Sequence, residues 1–186
     1  MDSHGHTRGF TLLELLVVIA TVAIITTLSV SGFSALLENI RMDNGVNNLL
    51  HSFHLARQKS HLNGFDVTVC KSRDGHQCHN NAEWHDGWVV FGNRDNDDPP
   101  DIDPGEPVFS TTPALRNLHI SANRQAFHIR PFGRRSTNGS FIYCPGKNSS
   151  RSRSVIVSYT GKPRIKIDNE IRNEPRNKKM QCSQTI

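Results

Sequence analysis

No proline occurs before Pro99, so nothing in the first half of the chain forces a helix to break. Long hydrophobic runs are scarce as well. There is one, Phe10 to Val30, 21 residues long, which excludes several membrane crossings and leaves room for one, through about 30 Å of hydrocarbon. No A-x-A pattern follows that run, and the run is too long for a signal-peptide core, so a cleaved secretory signal is excluded and a retained anchor is expected. Charge inside it is limited to Glu14. The chain has ten histidines, yet no Ser/His/Asp or Cys/His arrangement sits in a nucleophile context, which argues against an enzyme. Nothing in the pattern calls for a cofactor, an internal repeat or a second domain.

What remains is one ordinary domain with an appended element, 186 residues in all. Mean hydropathy is −0.49, so everything outside the apolar run is polar and suited to water. Nine residues precede the run and include Arg8. The positive-inside rule then keeps this end cytoplasmic and exports the rest, in a bacterium to the periplasm. The four cysteines, Cys70, Cys78, Cys144 and Cys182, all lie on the exported side, where an even number favours disulfides.

Net charge is +5, unevenly spread. Residues 1–115 carry 7 Lys/Arg against 14 Asp/Glu, and residues 116–186 carry 15 against 3. From Arg130 to Lys166 there are nine basic residues and no acid. A footprint of this kind suits a polyanionic partner.

Beyond the apolar run, Phe33, Leu36, Leu37, Ile40, Val46, Leu49, Leu50 and Phe53 recur every three or four residues, the helical period. One helix is expected from about Phe10 to about Leu62, stopped by Asn63-Gly64, with Gly32 and Gly45 as points where it can bend. From Phe65 the period falls to two. Residues 65–70, 87–91, 107–109, 118–121, 126–130, 140–144, 154–159 and 163–167 read as short antiparallel strands, one face of which the helix stripe covers. The expected fold class is α+β, a long N-terminal helix on an antiparallel, β-sandwich-like head.

Gly9-Phe10-Thr11-Leu12-Leu13-Glu14, followed by about twenty apolar residues, resembles the class III signal of type IV pilins and type II secretion pseudopilins. Residues 67–95, with a cysteine-ended strand, a Cys-containing hairpin, the segment Trp84-x-x-Gly87-Trp88 and a Val-Phe strand in that order, resemble the GspH/FimT group of minor pilins and pseudopilins. Residues 127–136 and 141–166 match the later strands. The resemblance implies that a prepilin peptidase cuts between Gly9 and Phe10 and methylates the new N-terminus. It also implies that Glu14 meets a positive N-terminal amine, its own or a neighbouring subunit's, as the subunit enters a filament. One carboxylate and one ammonium are each unfavourable in lipid, and pairing relieves both while setting axial register. The expected organisation is a leader at 1–9, a transmembrane half-helix at 10–31, an amphipathic half-helix at 32–63 and a β-rich head at 64–186. The expected location is single-pass in the inner membrane with a periplasmic head, then the pilus.

Cys70 and Cys78, with His76, His79 and His85 nearby, can be drawn as a zinc site, but the spacing fits no closed Cys/His pattern. In an oxidising compartment a hairpin disulfide is the reading adopted, which leaves Cys144 and Cys182 as a second pair; sequence alone does not decide connectivity. The run 95–103 holds five aspartates without the glycine or terminal glutamate of an EF-hand loop. It is read as a solvated acidic loop, with Ca²⁺ binding left open.

Residues 160–166 occupy the place where DNA-uptake members of the FimT group carry Gly-Arg-x-Arg. Here the motif is Gly161-Lys162-Pro163-Arg164, and lysine neutralises a phosphate without arginine's bidentate fork. Lys162, Arg164 and Lys166 alternate along one strand, with Arg134, Arg135, Arg151 and Arg153 expected on neighbouring turns. Such a stripe suits sequence-independent contact with double-stranded DNA. The function expected is therefore that of a FimT-like minor pilin active in DNA uptake. The alternatives are a GspH-like minor pseudopilin of the type II secretion system and a purely structural subunit that primes the pilus.

Overall fold

The computed structural model describes residues 11–144 and 152–167. Contacts divide the chain into two compact units, Met1–Leu37 and Glu38–Ile186. One helix, α1 (Leu12–Asn63), runs through both, within two residues of the expected limits at each end.

In the first unit, Thr11 caps the helix by accepting the Glu14 N–H on Oγ1 at 3.3 Å. Thr-x-x-Glu is the sequence of a capping box, so Glu14 sits in the first turn, where the helix dipole favours an acid. Every described side chain from Thr11 to Thr26 is exposed, among them Leu12, Leu13, Ile24 and Ile25. The hydroxyls of Thr21 and Thr26 donate back to the Val18 and Ala23 carbonyls, at 2.9 Å each, so these polar groups are satisfied inside the helix. Among the described residues no helix is long and apolar enough to cross a membrane.

The second unit is the head, and it begins at Glu38, earlier than the expected 64. The reason is burial. Met42, Val46, Leu49, Phe53 and Ala56 of α1 are all within the core, so this part of the helix belongs to the head. Two four-stranded sheets, both antiparallel, complete it. Sheet one has the order β3-β2-β1-β5, built from β1 (Asp66–Lys71), β2 (Trp88–Asn93), β3 (Val108–Thr112) and β5 (Ala126–Ile129). Sheet two has the order β4-β6-β7-β8, from β4 (His119–Ala122), β6 (Gly139–Cys144), β7 (Arg153–Val157) and β8 (Pro163–Ile167). All eight expected strands are present; they form two sheets, as the expected sandwich-like head requires, and the helix contacts both.

Alternation explains the arrangement. Val67 and Val69 of β1, Val90 of β2, Phe127 and Ile129 of β5, Phe141 and Tyr143 of β6, and Val155 and Val157 of β7 all enter one core. Phe53 from α1 makes edge contacts with Phe127 of sheet one at 5.3 Å and Phe141 of sheet two at 5.8 Å. The buried Trp88 indole donates to Ser52 Oγ at 2.9 Å. On the opposite face of sheet one, Cys70, Val89 and Phe91 form a smaller cluster with Cys78, Ile102 and Ala126.

Gly45, expected as a bend, serves close packing instead. A Cβ there would lie 2.7 Å from Leu118 Cδ2, and the Gly45 carbonyl accepts the buried Tyr143 hydroxyl at 3.1 Å. Burial raises the pKa of that hydroxyl, so it stays a donor at any physiological pH.

Cys70 and Cys78 form a disulfide that ties the β1–β2 connection to its own strand. At the end of β1 Lys71 is buried, and its Nζ donates to the Asn80 carbonyl in that connection at 2.9 Å. Burial lowers the lysine pKa despite nearby Glu83 and Asp86. Asp74 organises the tip by accepting the N–H groups of His76 and Gln77 and the Ser72 hydroxyl. Its pKa falls to about 2, chiefly through the His76 N–H. Cys144 is likewise disulfide-bonded; Cys182, its expected partner, lies outside the described residues.

Candidate nucleic-acid interface

One end of the head collects two basic segments, the loop after β5 and the β7–β8 turn, around the start of β1. The pairings Asp66↔Asn93 and Val67↔Ile129 place the start of β1 beside the ends of β2 and β5. The pairing Val157↔Pro163 marks the turn between β7 and β8. A hydrogen bond from Ser136 N to the Tyr159 carbonyl, 2.8 Å, joins that turn to the loop that follows β5. Gly161 is needed where it stands. Its φ of +71° is one that side chains rarely adopt, and a Cβ would lie 2.9 Å from Ile129 Cγ2.

Asp66 holds the 130–137 loop. It is 1% exposed, and its two carboxylate oxygens accept Arg130 Nε at 3.1 Å and Arg134 Nη1 at 3.0 Å. Arg130 also donates to the Arg135 carbonyl at 3.0 Å, and the Arg135 guanidinium lies over the Tyr159 ring, 5.7 Å from its centroid. Phe132, at the loop tip, is 78% exposed and stacks on His61 at 3.7 Å.

The structure therefore divides the expected basic set. Lys162 and Arg164 are exposed and have no ion pair among the described residues. Arg135 stands beside Lys162's turn, through Tyr159. Arg134 is ion-paired with Asp66, and Arg153 is ion-paired with Asp43 of α1, at the other end of β7. Lys166 is half-buried on β8. Arg151 lies outside the described residues. The acids that neutralise part of the stripe are thus Asp66 and Asp43, not the acidic loop. In that loop Asp103 has its carboxyl pKa raised by desolvation first, then by Asp95, Glu106 and Asp97. Among the described residues no three His, Cys, Asp or Glu are placed to hold a metal ion.

Tyr159, read from the sequence only as the end of a strand, joins this end of the head. Arg124, which carried no motif signal, precedes β5 at the far end of that strand from Arg130. His128, in β5, pairs its Nδ1 with the buried Thr68 hydroxyl at 3.0 Å. Burial lowers its pKa below the ordinary 6.5, with Arg130 adding to the effect and Asp98, Asp66 and Asp97 opposing it. His61 is lowered too, by burial and then Arg57. A histidine depressed in the folded state is protonated first in the unfolded state, so stability is full above about 6.5 and falls as pH drops through it. Thermal melts of the chain in detergent are expected to fall from pH 7 to 5, and His128→Gln to make that fall shallower. An unchanged slope would show that His128 is not responsible.

The sequence model for the family described as type II transport protein GspH matches residues 45–161, more than half of the chain. The chain belongs to the GspH family. This GspH-family protein is accordingly of the minor pilin and pseudopilin kind. Among solved structures, the type IV minor pilin FimU of Pseudomonas aeruginosa is similar at 12% identity and a TM-score of 0.49, covering 70% of this chain and 90% of FimU. The minor pseudopilin EpsH from the type 2 secretion system of Vibrio cholerae is similar at 13% identity and a TM-score of 0.48, covering 68% of this chain and 97% of EpsH. No curated protein matches the chain closely enough to register as a relative.

Proposed function

We propose that this GspH-family protein is a FimT-like minor type IV pilin that binds double-stranded DNA without sequence preference during uptake in natural transformation. The observation that carries the reading is the convergence of Lys162, Arg164 and Arg135 at and beside one turn, none of them ion-paired among the described residues. In this reading residues 1–9 are a leader, removed by a prepilin peptidase between Gly9 and Phe10, and Phe10 is N-methylated. Residues 10–31 anchor the subunit in the inner membrane before assembly, which the exposed apolar side chains of 11–26 support. Residues 32–63 continue the helix, and 64–186 make the β-rich region that presents the DNA surface. The family's description as a type II transport protein favours a second reading, a pseudopilin tip subunit whose basic end faces another subunit.

The test is a gel-shift salt titration with the full chain in non-ionic detergent and a random-sequence duplex. Affinity should fall steeply with salt, each neutralised phosphate contributing close to one unit of log–log slope. Lys162→Ala and Arg164→Ala should each weaken binding and make the slope shallower by about one unit. Lys162→Arg should bind at least as well. Arg153→Ala, already committed to Asp43, should leave the slope unchanged. No shift at low salt, or a slope indifferent to Lys162 and Arg164, favours the pseudopilin.

A further inference from the structure

Beside the β7–β8 turn lies a groove of about 770 Å³, within the range of cavities that hold one small organic ligand, roughly 300–1,000 Å³. Its walls differ in chemistry. Arg124, Arg135 and Tyr159 line it, as do Asp98, Pro99 and Pro100. Arg124 spends its Nε on the Asn138 carbonyl at 3.2 Å, and Arg135 rests on Tyr159. Both keep guanidinium donors that no described acid takes. The Asp98-Pro99-Pro100 segment, by contrast, belongs to the run of five aspartates at 95–103.

We infer that this groove takes a stretch of single-stranded DNA, with phosphates on Arg124 and Arg135 and bases lodged between Tyr159 and the Asp98-Pro99-Pro100 segment. The inference rests on the nucleic-acid reading of the same end of the head. A single strand carries its phosphates along one side and leaves base edges and faces free on the other. That asymmetry matches the groove. Guanidinium groups grip phosphate with paired donors. A base amino group has the Asp98 carboxylate to donate to, and base faces have Tyr159 and the proline rings to lie against, the mode in which single strands are held with little sequence preference. A duplex fits worse, because its base edges are already paired and its second backbone meets the aspartates of 95–103. Lys162, three residues past Tyr159, receives the strand as it leaves the groove and serves either form of DNA.

The test compares fluorescence anisotropy of a labelled oligo-dA strand with that of the same strand annealed to oligo-dT, using the full chain in detergent. Tyr159→Ala and Arg124→Ala are expected to weaken the single strand about tenfold each, within the range of a lost stacking contact, and the duplex by less than about twofold. Tyr159→Phe should restore single-strand binding, and oligo-dT, which lacks the amino group, should bind less tightly than oligo-dA. Both altered side chains are exposed, and an unchanged melting temperature confirms that the fold survives. If the groove variants change neither form, or both equally, the inference is overturned while the duplex reading stands on Lys162. If neither form binds the unaltered chain, both readings fall. An oligo-glutamate peptide that binds through Arg124 where the strand does not would assign the groove to acidic peptides and overturn the inference.

Discussion

Phe53→Ala is expected to cost the head about 3–5 kcal/mol of unfolding free energy, the usual loss for a fully buried phenylalanine. Phe53 is 0% exposed and packs edge-on against Phe127 and Phe141, one from each sheet. Those two rings also stack on each other at 4.8 Å, and Trp84 closes on both, at 5.8 and 4.8 Å. Removing Phe53 therefore opens a cavity where helix, sheet one and sheet two meet, and no neighbour can fill it without leaving another contact. At about 2–4 °C per kcal/mol for a chain of this size, the melting temperature should drop by roughly 6–20 °C. Tryptophan fluorescence reads it directly, because Trp84 and Trp88 are both in the core. Phe53→Leu should lose much less. His51→Ala, on the exposed side of the same turn, should stay within about 0.5 kcal/mol. A Phe53→Ala loss under about 1 kcal/mol would contradict a core shared by helix and sheets.

Near-complete absence from sheared filaments is expected for Glu14→Ala, with membrane insertion and cleavage before Phe10 unaffected. The Glu14 carboxylate has no partner among the described residues, while the apolar side chains on both sides of it are exposed. An ionised group in that setting is unfavourable in lipid until an ammonium meets it. The cap to Thr11 uses the Glu14 backbone N–H and survives either substitution, but alanine removes the side chain's bulk along with its charge. Glu14→Gln separates these, because the side chain keeps its size and loses only the charge. Both variants should accumulate in the inner membrane, as immunoblots of sheared and membrane fractions would record. Incorporation of the glutamine variant at the normal level would refute the charge-pairing role, whatever the alanine variant does.

Much of this architecture was legible in the residues, because it depends on local rules. An unbroken helical period with no proline specifies α1 to within two residues. Alternation with turn residues between runs specifies eight strands, since the side-chain period of a strand differs from that of a helix. The Cys70–Cys78 bridge was legible from the short spacing of the two cysteines at the end of one expected strand and the hairpin after it. The Gly161-Lys162-Pro163-Arg164 turn carried its own signal. Pairing order was not legible, because ladder hydrogen bonds join backbone groups that every residue possesses; only packing of the alternating faces separates β3-β2-β1-β5 from β4-β6-β7-β8.

Charge was the other matter that tertiary structure decided. Sequence alone establishes an acid-free basic stretch. It cannot say which cations are spent. Arg134 meets Asp66 and Arg153 meets Asp43 across long loops, and ion pairing depends on distance in space, a few ångströms, not on distance along the chain. The same holds for Gly45, where a residue that weakens a helix on its own becomes the one that lets Leu118 and Tyr143 close against it. The residues set which elements form and what charge they carry; the fold selects which of those charges remain free, because only folding brings Asp66 and Asp43 within reach of the arginines they neutralise.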